Sequence, residues 1–140
     1  MRPDPREEGA RWLRQAQQDI DDALYSRAGG RYHLACFLAQ QAAEKALKGY
    51  LYSRGEEHVW GHSVADLARQ AAEYDAGFEA LIGTGGGLDR HYIPTRYPNG
   101  LPGGIPAEAF DADDAEKALR QAQRIIDVVV EVLGRESGQV

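Results

Sequence analysis

Cysteine is almost absent. Cys36 is the single one in the chain, which excludes an internal disulfide and any multi-cysteine metal site. It stands in the apolar run Leu34 to Ala39, where a small packing residue is expected. Long hydrophobic runs are missing as well: no stretch approaches the ~20 apolar residues of a membrane span. Met1 to Arg14 is charged where a secretory signal would be apolar, so a cytoplasmic location without membrane attachment is expected. An excess of basic charge is also lacking, because 16 basic residues face 22 acidic ones for a net charge of −6. Residues 1–74 are nearly balanced, while 107–140 carry 4 basic and 8 acidic side chains. With no basic arm to grip phosphate indiscriminately, any nucleic-acid contact has to come from a few focused residues. Histidine is sparse, and His33, His58, His62 and His91 show no metal-ligand spacing, so neither a metal nor a cofactor is expected.

What is present is helical periodicity. Asp4, Pro5 and Glu7 form an N-cap, a first-turn proline and a third-position acid. Trp12, Leu13, Ala16, Ile20, Ala23 and Leu24 then recur at helical spacing until Gly29 and Gly30. A second helix is predicted from Arg31 to Arg54, apolar all round near its start and therefore central, with Ala35, Ala39, Ala42 and Ala46 forming a ridge that admits a close neighbour. Ser63 and Asp66 read as a capping box for a short third helix ending by Asp75, with His62 belonging to its start. The segment from Phe78 to Leu88 is predicted to be a helical piece broken at Thr84, Gly85, Gly86 and Gly87. Arg90 to Pro106 holds four of the six prolines and reads as a long ordered loop. Asp111 caps a last helix whose stripe is Ala115, Leu119, Ala122, Ile126, Val129 and Leu133, with Val128 and Val130 off it. No alternating strand pattern appears, so the fold class is all-α, a four-to-five-helix up-and-down bundle forming a single domain over residues 8–135. The apolar surface exceeds what four helices need, which predicts a dimer or larger oligomer.

One loop is chemically conspicuous. Arg90, His91, Tyr92, Arg96 and Tyr97 fall within eight residues, with Pro94 and Pro98 stiffening the presentation of Thr95, Arg96 and Tyr97. A guanidinium fork suits a phosphate and tyrosine faces suit a base. Two roles are open to Arg96: facing such a ligand, or pairing with a buried acid such as Asp19 or Glu44. Asp19 lies on the inner edge of the first helix and needs a partner. Gln41, Glu44 and Lys48 share a face of the second helix, where a solvated Glu44–Lys48 pair is the simplest account. Gln40 and Gln41 interrupt an apolar stretch and require hydrogen-bond partners.

Together these residues resemble the HEPN family, the higher eukaryotes and prokaryotes nucleotide-binding domain. The match runs through Trp12, Leu13, Ala16 and Asp19. It continues through Cys36, Phe37, Gln40, Gln41, Ala42, Glu44, Lys45, Ala46 and Lys48, then His62, then Tyr92 to Pro98. The resemblance implies a helical bundle that forms a homodimer or a dimer of dimers, with a minimal nucleotidyltransferase as partner in toxin–antitoxin-like pairs. It also implies, for many members, a metal-independent ribonuclease whose arginine is followed after four to six residues by histidine. Here only Arg27 and His33 have that spacing, and they flank the first interhelical turn. After Arg90 the last corresponding position is Tyr97, and tyrosine, with a pKa near 10, is a poor base. The expected function is therefore a helical homo-oligomer that binds a nucleotide, RNA or a nucleotidyltransferase partner without strong catalysis. Tyr92, Arg96, Tyr97, Asp19, Glu44, Lys45 and Lys48 form its ligand site, and no catalytic residue is assigned. The alternative is an endoribonuclease toxin with a degenerate active site, with His91 or Tyr97 standing in for the missing histidine.

Overall fold

The computed structural model describes residues 3–137. Three long helices carry the bundle: α1 (Pro5–Ala28), α2 (Tyr32–Ser53) and, last in the chain, α6 (Ala112–Ser137). Between α2 and α6 lie the shorter α3 (Val64–Ala72), α4 (Ile82–Asp89) and the single turn α5 (Pro106–Ala109). No strand is present among the described residues. The all-α class and the bundle are as the sequence predicts.

Local chemistry sets the helix ends. Asp4 caps α1 by accepting from the Arg6 amide at 2.8 Å, and Gly30, with φ of 75°, makes the turn into α2. At the start of α6, Asp111 accepts from the Asp114 amide while Asp114 accepts from the Asp111 amide, both at 2.9 Å. This is a reciprocal capping box.

The α1–α2 hairpin is antiparallel and unusually close at its base. A methyl group on Gly9 would lie 2.6 Å from the Gly49 carbonyl oxygen, and one on Gly49 would lie 2.9 Å from that of Gly9. Gly49 extends the ridge of Ala35, Ala39, Ala42 and Ala46, all of them fully buried. Small side chains thus let two backbones meet where larger ones would separate them. α6 packs along α2, and Tyr50, Leu47, Leu51, Phe78, Ile125 and Val129 fill the centre. Of the two valines off the α6 stripe, Val128 packs against the core and Val130 stays 43% exposed. Cys36 is buried in this core, and desolvation, with Asp114 and Asp111 adding to it, pushes its thiol up to about 12. It is a packing residue without thiolate character.

The glycine run is where the structure departs from expectation. Residues 82–89 form α4 without a break. A Cβ on Gly85 would lie 2.7 Å from the Ala65 amide nitrogen and 2.9 Å from the Val64 carbonyl carbon, so α4 presses its bare backbone against the start of α3. At the end of α4, Asp89 accepts from Ser63 Oγ at 2.7 Å and from the amides of Val64 at 2.6 Å and Ala65 at 3.3 Å. The capping box expected from Ser63 and Asp66 is therefore only half formed. Ser63 accepts from the Asp66 amide, while the Asp66 carboxylate turns to Arg69 and Asp89 supplies the remaining cap from another helix. Tertiary packing offsets the helix cost of glycine, roughly 1 kcal/mol each.

The glycines of α4 should consequently respond in opposite directions. Gly85→Ala forces a methyl into backbone and should cost about 1–3 kcal/mol. Gly86 has nothing within 4 Å of its would-be Cβ, so Gly86→Ala should stabilise by up to ~1 kcal/mol. Urea unfolding of the two variants measures both signs.

Candidate functional site

The loop after α4 is built from consecutive turns. Arg96 and Tyr97 return their amides to the Ile93 carbonyl, and the buried Thr95 hydroxyl donates to the His91 carbonyl. This winding brings Arg96 back over Tyr92, whose carbonyl accepts from Arg96 Nε at 2.8 Å. The guanidinium carbon lies 4.5 Å from the ring centroids of Phe37 and Tyr92, and 5.1 Å from that of Tyr97. Arg96 forms no ion pair among the described residues, so its charge is held by ring faces and left unneutralised. The half-buried Arg96 does not pair with Asp19 or Glu44, both of which have other partners.

Glu44 is one of those acids, and at 4% exposure it is buried. Lys48 Nζ donates to its Oε2 at 3.2 Å, and the side-chain amides of Gln40 and Gln41 donate to Oε1 at 3.2 and 3.4 Å. Lys48 is itself 7% exposed, so this ion pair is internal rather than solvated as its helical spacing suggests. Truncating one partner of such a pair strands a buried charge, typically at about 3–5 kcal/mol. His62 completes the cluster. Its Nδ1 lies 3.2 and 3.3 Å from the two Glu44 oxygens, and its carbonyl accepts from Gln40 Nε2 at 3.0 Å. Its ring stacks on Tyr92 at 4.6 Å with 17° between planes. Tyr92 thus joins two clusters, with Arg96 on its ring and the His62–Glu44–Lys48 network beside it.

Asp19 and Lys45 form a neighbouring pair. Lys45 Nζ meets Asp19 Oδ2 at 2.7 Å, and Gln15 Nε2 donates to Oδ1 at 2.9 Å. The seven predicted site residues therefore resolve into Tyr92, Arg96 and Tyr97 in one cluster, Glu44 and Lys48 joined to it through His62, and Asp19 with Lys45 alongside. Phe37, Gln41, Glu44, Lys45 and Lys48 follow one stripe of α2, which is what brings the three groups into line.

His62 and Phe37 carry more of the site than their spacing in the sequence reveals. His62 lies one residue before a capping serine, which hides its second role. The clue available was Glu44, an acid on a nearly apolar helix that needs more partners than Lys48 alone. His91, by contrast, is turned away from Arg96. Its ring packs edge-on to Phe110 at 5.6 Å, its Nδ1 is buried without a hydrogen bond, and desolvation lowers its pKa below the usual 6.5. Asp114 opposes that shift, while Arg90 and Lys117 reinforce it. His91 is thus a packing residue here, and it cannot serve Arg96 as a base. Arg27 and His33 sit at either end of the α1–α2 turn, Arg27 in the last turn of α1 and His33 in the first turn of α2. No group of three or more potential metal ligands occurs among the described residues.

A family model described as HEPN domain matches residues 10–133 of the chain. The chain belongs to the HEPN domain family. Among solved structures it is similar to TT1696 from Thermus thermophilus, with a TM-score of 0.84 and 43% identity over 89% of this chain and 97% of that one. It is also similar to ST0689, described as an archaeal HEPN homologue, with a TM-score of 0.73 and 36% identity over 89% and 96%. A curated relative is "Putative toxin MJ1304" of Methanocaldococcus jannaschii, 24% identical over 91% of this chain and 89% of that protein. The HEPN fold is thus shared, and toxin naming accompanies it in one relative. No helix among the described residues is long and apolar enough to cross a membrane.

The state of His91 has a measurable consequence. Its folded pKa is lowered, so below pH 6.5 the unfolded chain takes up a proton that the folded chain refuses. Stability should fall as pH drops through and below that value, and His91→Leu should flatten this part of the profile. Thermal unfolding of both proteins between about pH 8 and pH 5 measures the difference.

Proposed function

We propose that this HEPN protein binds a phosphate-bearing ligand, a nucleotide or an RNA segment, through Arg96 with Tyr92 and Tyr97, and that it works as a homo-oligomer in the cytoplasm. The observation that carries this is the arginine itself, which is pre-positioned by three ring faces and a backbone carbonyl and left without a carboxylate. A structural arginine is expected to spend its charge on an acid, whereas a ligand-facing one keeps it available. Glu44, Lys45 and Lys48 extend the same polar stripe along α2, and Asp19 meets it from α1 through Lys45. The toxin name of the archaeal relative supports a toxin–antitoxin-like setting, in which a minimal nucleotidyltransferase partner would meet this face.

Arg96→Ala should lower affinity for ADP or a 12-nucleotide oligoadenylate by about 10- to 150-fold, the ~1.5–3 kcal/mol of a charge-assisted contact. Unfolding free energy should change by less than ~1 kcal/mol. A large loss of stability with unchanged binding by the folded fraction would make Arg96 structural. Light scattering should show a dimer or larger at micromolar protein, and a stable monomer would remove the oligomer from this proposal.

RNA cleavage without a metal is the second function the site supports, and His62 is the observation in its favour. A buried carboxylate on Nδ1 orients the imidazole and leaves Nε2 free, as a general base requires. That imidazole and the Arg96 guanidinium flank one tyrosine ring. Transfer of a ribose 2′-hydroxyl proton to His62 Nε2 would let the 2′-oxygen attack phosphorus. Arg96 would stabilise the charge that develops, and the 5′-oxygen would leave with a proton from water. Incubation of single-stranded RNA in chelator should then give 2′,3′-cyclic phosphate ends, lost in His62→Ala, His62→Gln and Arg96→Ala. Equal cleavage by wild type and these variants, or none by wild type, would exclude it.

A further inference from the structure

A shallow groove of about 630 Å³ runs between the outer face of α1 and α2, beside the Asp19–Lys45 pair and apart from the Arg96 cluster. Arg11, Trp12, Arg14, Gln15, Gln18 and Lys45 line it. Its carboxylate neighbours are already engaged. Asp19 is held by Lys45 and Gln15, Asp22 by Gln18, and Glu8 by the Trp12 indole at 3.0 Å. Glu8 approaches Arg11 only at 3.8 Å, and Arg14 forms no ion pair among the described residues. Both arginines are exposed. Gln15 and Gln18 donate to those acids through their amide nitrogens, so their carbonyl oxygens remain available as acceptors. The groove therefore presents an unpaired guanidinium at Arg14, a second at Arg11 held only by a long, exposed pair with Glu8, amide carbonyls and an indole, on a chain whose net charge is −6.

The groove meets the α2 stripe of the proposed ligand site at its Lys45 and Lys48 end. Lys45 lines it, and Trp12, another of its walls, lies under the Lys48 ammonium at 6.0 Å. From Phe37, which carries Arg96, to Lys48 the α2 stripe spans about 16 Å at about 1.5 Å per residue. A mononucleotide held at Arg96 leaves that distance empty. A stacked single strand, at about 3.4 Å per nucleotide, crosses it in roughly four or five nucleotides and brings further phosphates to Arg11 and Arg14.

We propose that the α1–α2 groove is a second phosphate subsite, so that the ligand of this protein is a single-stranded RNA lying along α2 from Arg96 to Arg11 and Arg14. This rests on the binding site proposed for Arg96 and specifies its ligand. The strand is anchored at two separated points, by a ring-held guanidinium at one end and by two exposed guanidinium groups at the other. Trp12 offers apolar surface between them.

The test compares a short ligand with a long one. Binding of ADP and of a fluorescein-labelled 12-nucleotide oligoadenylate, 2′-fluoro-substituted so that it cannot be cleaved, is measured from about 50 to 200 mM salt. The proteins compared are wild type, Arg11→Ala/Arg14→Ala and Arg120→Ala/Arg124→Ala. The last pair removes the same charge from the outer face of α6. In wild type the oligonucleotide should bind more tightly and with a steeper salt dependence than ADP. In the Arg11/Arg14 variant its affinity should fall about ten-fold or more at the lowest salt, and its log–log salt slope should become shallower by about 1.4, or about 0.7 for each lost phosphate contact. ADP binding should not change, and the α6 variant should match wild type. If ADP binds in an Arg96-dependent manner and the oligonucleotide gains nothing from Arg11 and Arg14, the groove is not a phosphate site and the Arg96 site stands alone. A change in oligomeric state in the Arg11/Arg14 variant, with RNA binding intact, would assign the groove to a second copy of the chain and overturn the proposal. Absence of both ligands from wild type would remove the Arg96 site and the groove together.

Discussion

The buried polar side chains of the central helix, Gln40 and Lys48, converge on one buried carboxylate. Glu44 lies on the central helix, yet its two oxygens gather donors from Lys48, Gln40 and Gln41 on the same helix and meet the His62 ring of the following loop. An ionised carboxylate out of water is costly unless its lone pairs are occupied, so the geometry of these partners is constrained together rather than one at a time. Once His62 is held, Tyr92 has a surface to stack on. Once Tyr92 is stacked, Arg96 has a ring and a carbonyl to lie against. The arrangement of the loop is thus a consequence of satisfying an acid some distance away from it.

The backbone frame that makes this possible is built from the smallest side chains. The α1–α2 contact at Gly9 and Gly49 and the α4–α3 contact at Gly85 both use missing Cβ atoms to shorten the distance between helices. Close approach at the hairpin base lets Lys45 reach Asp19 and places the outer face of α1 next to the polar stripe of α2. The same economy of volume keeps α4 short and tight, so that Asp89 arrives where the α3 amides need an acceptor.

Much of this was legible in the sequence, for identifiable reasons. Caps at Asp4 and Asp111 and the periodic stripes of the three long helices are local signals, and they survive into the fold. The inward orientation of Asp19 follows from its register with Trp12 and Ala16. What could not be read locally is which distant group answers which charge. Asp19 takes Lys45 rather than Arg96, Glu44 takes His62 as well as Lys48, and Arg96 is left to aromatic rings. The glycine run failed as a local signal because helix propensity speaks for an isolated segment. Gly85 sits instead against another backbone, where any side chain would be excluded. His62 was hidden by having two jobs, one at the start of a helix and one at an acid.

Asp89 binds two halves of the site that the chain keeps far apart. Its carboxylate grips the first turn of α3 directly after His62, and its own backbone is the last residue of α4, from which the segment carrying Tyr92 and Arg96 departs. His62 and Arg96 are therefore mounted on either side of a single clasp. If that clasp opens, imidazole and guanidinium lose their shared support at the same moment, so the site is organised to be present as a whole or absent as a whole. Solvent exchange at the Val64 and Ala65 amides, which the clasp covers, is then a clock for the integrity of a surface that neither residue touches.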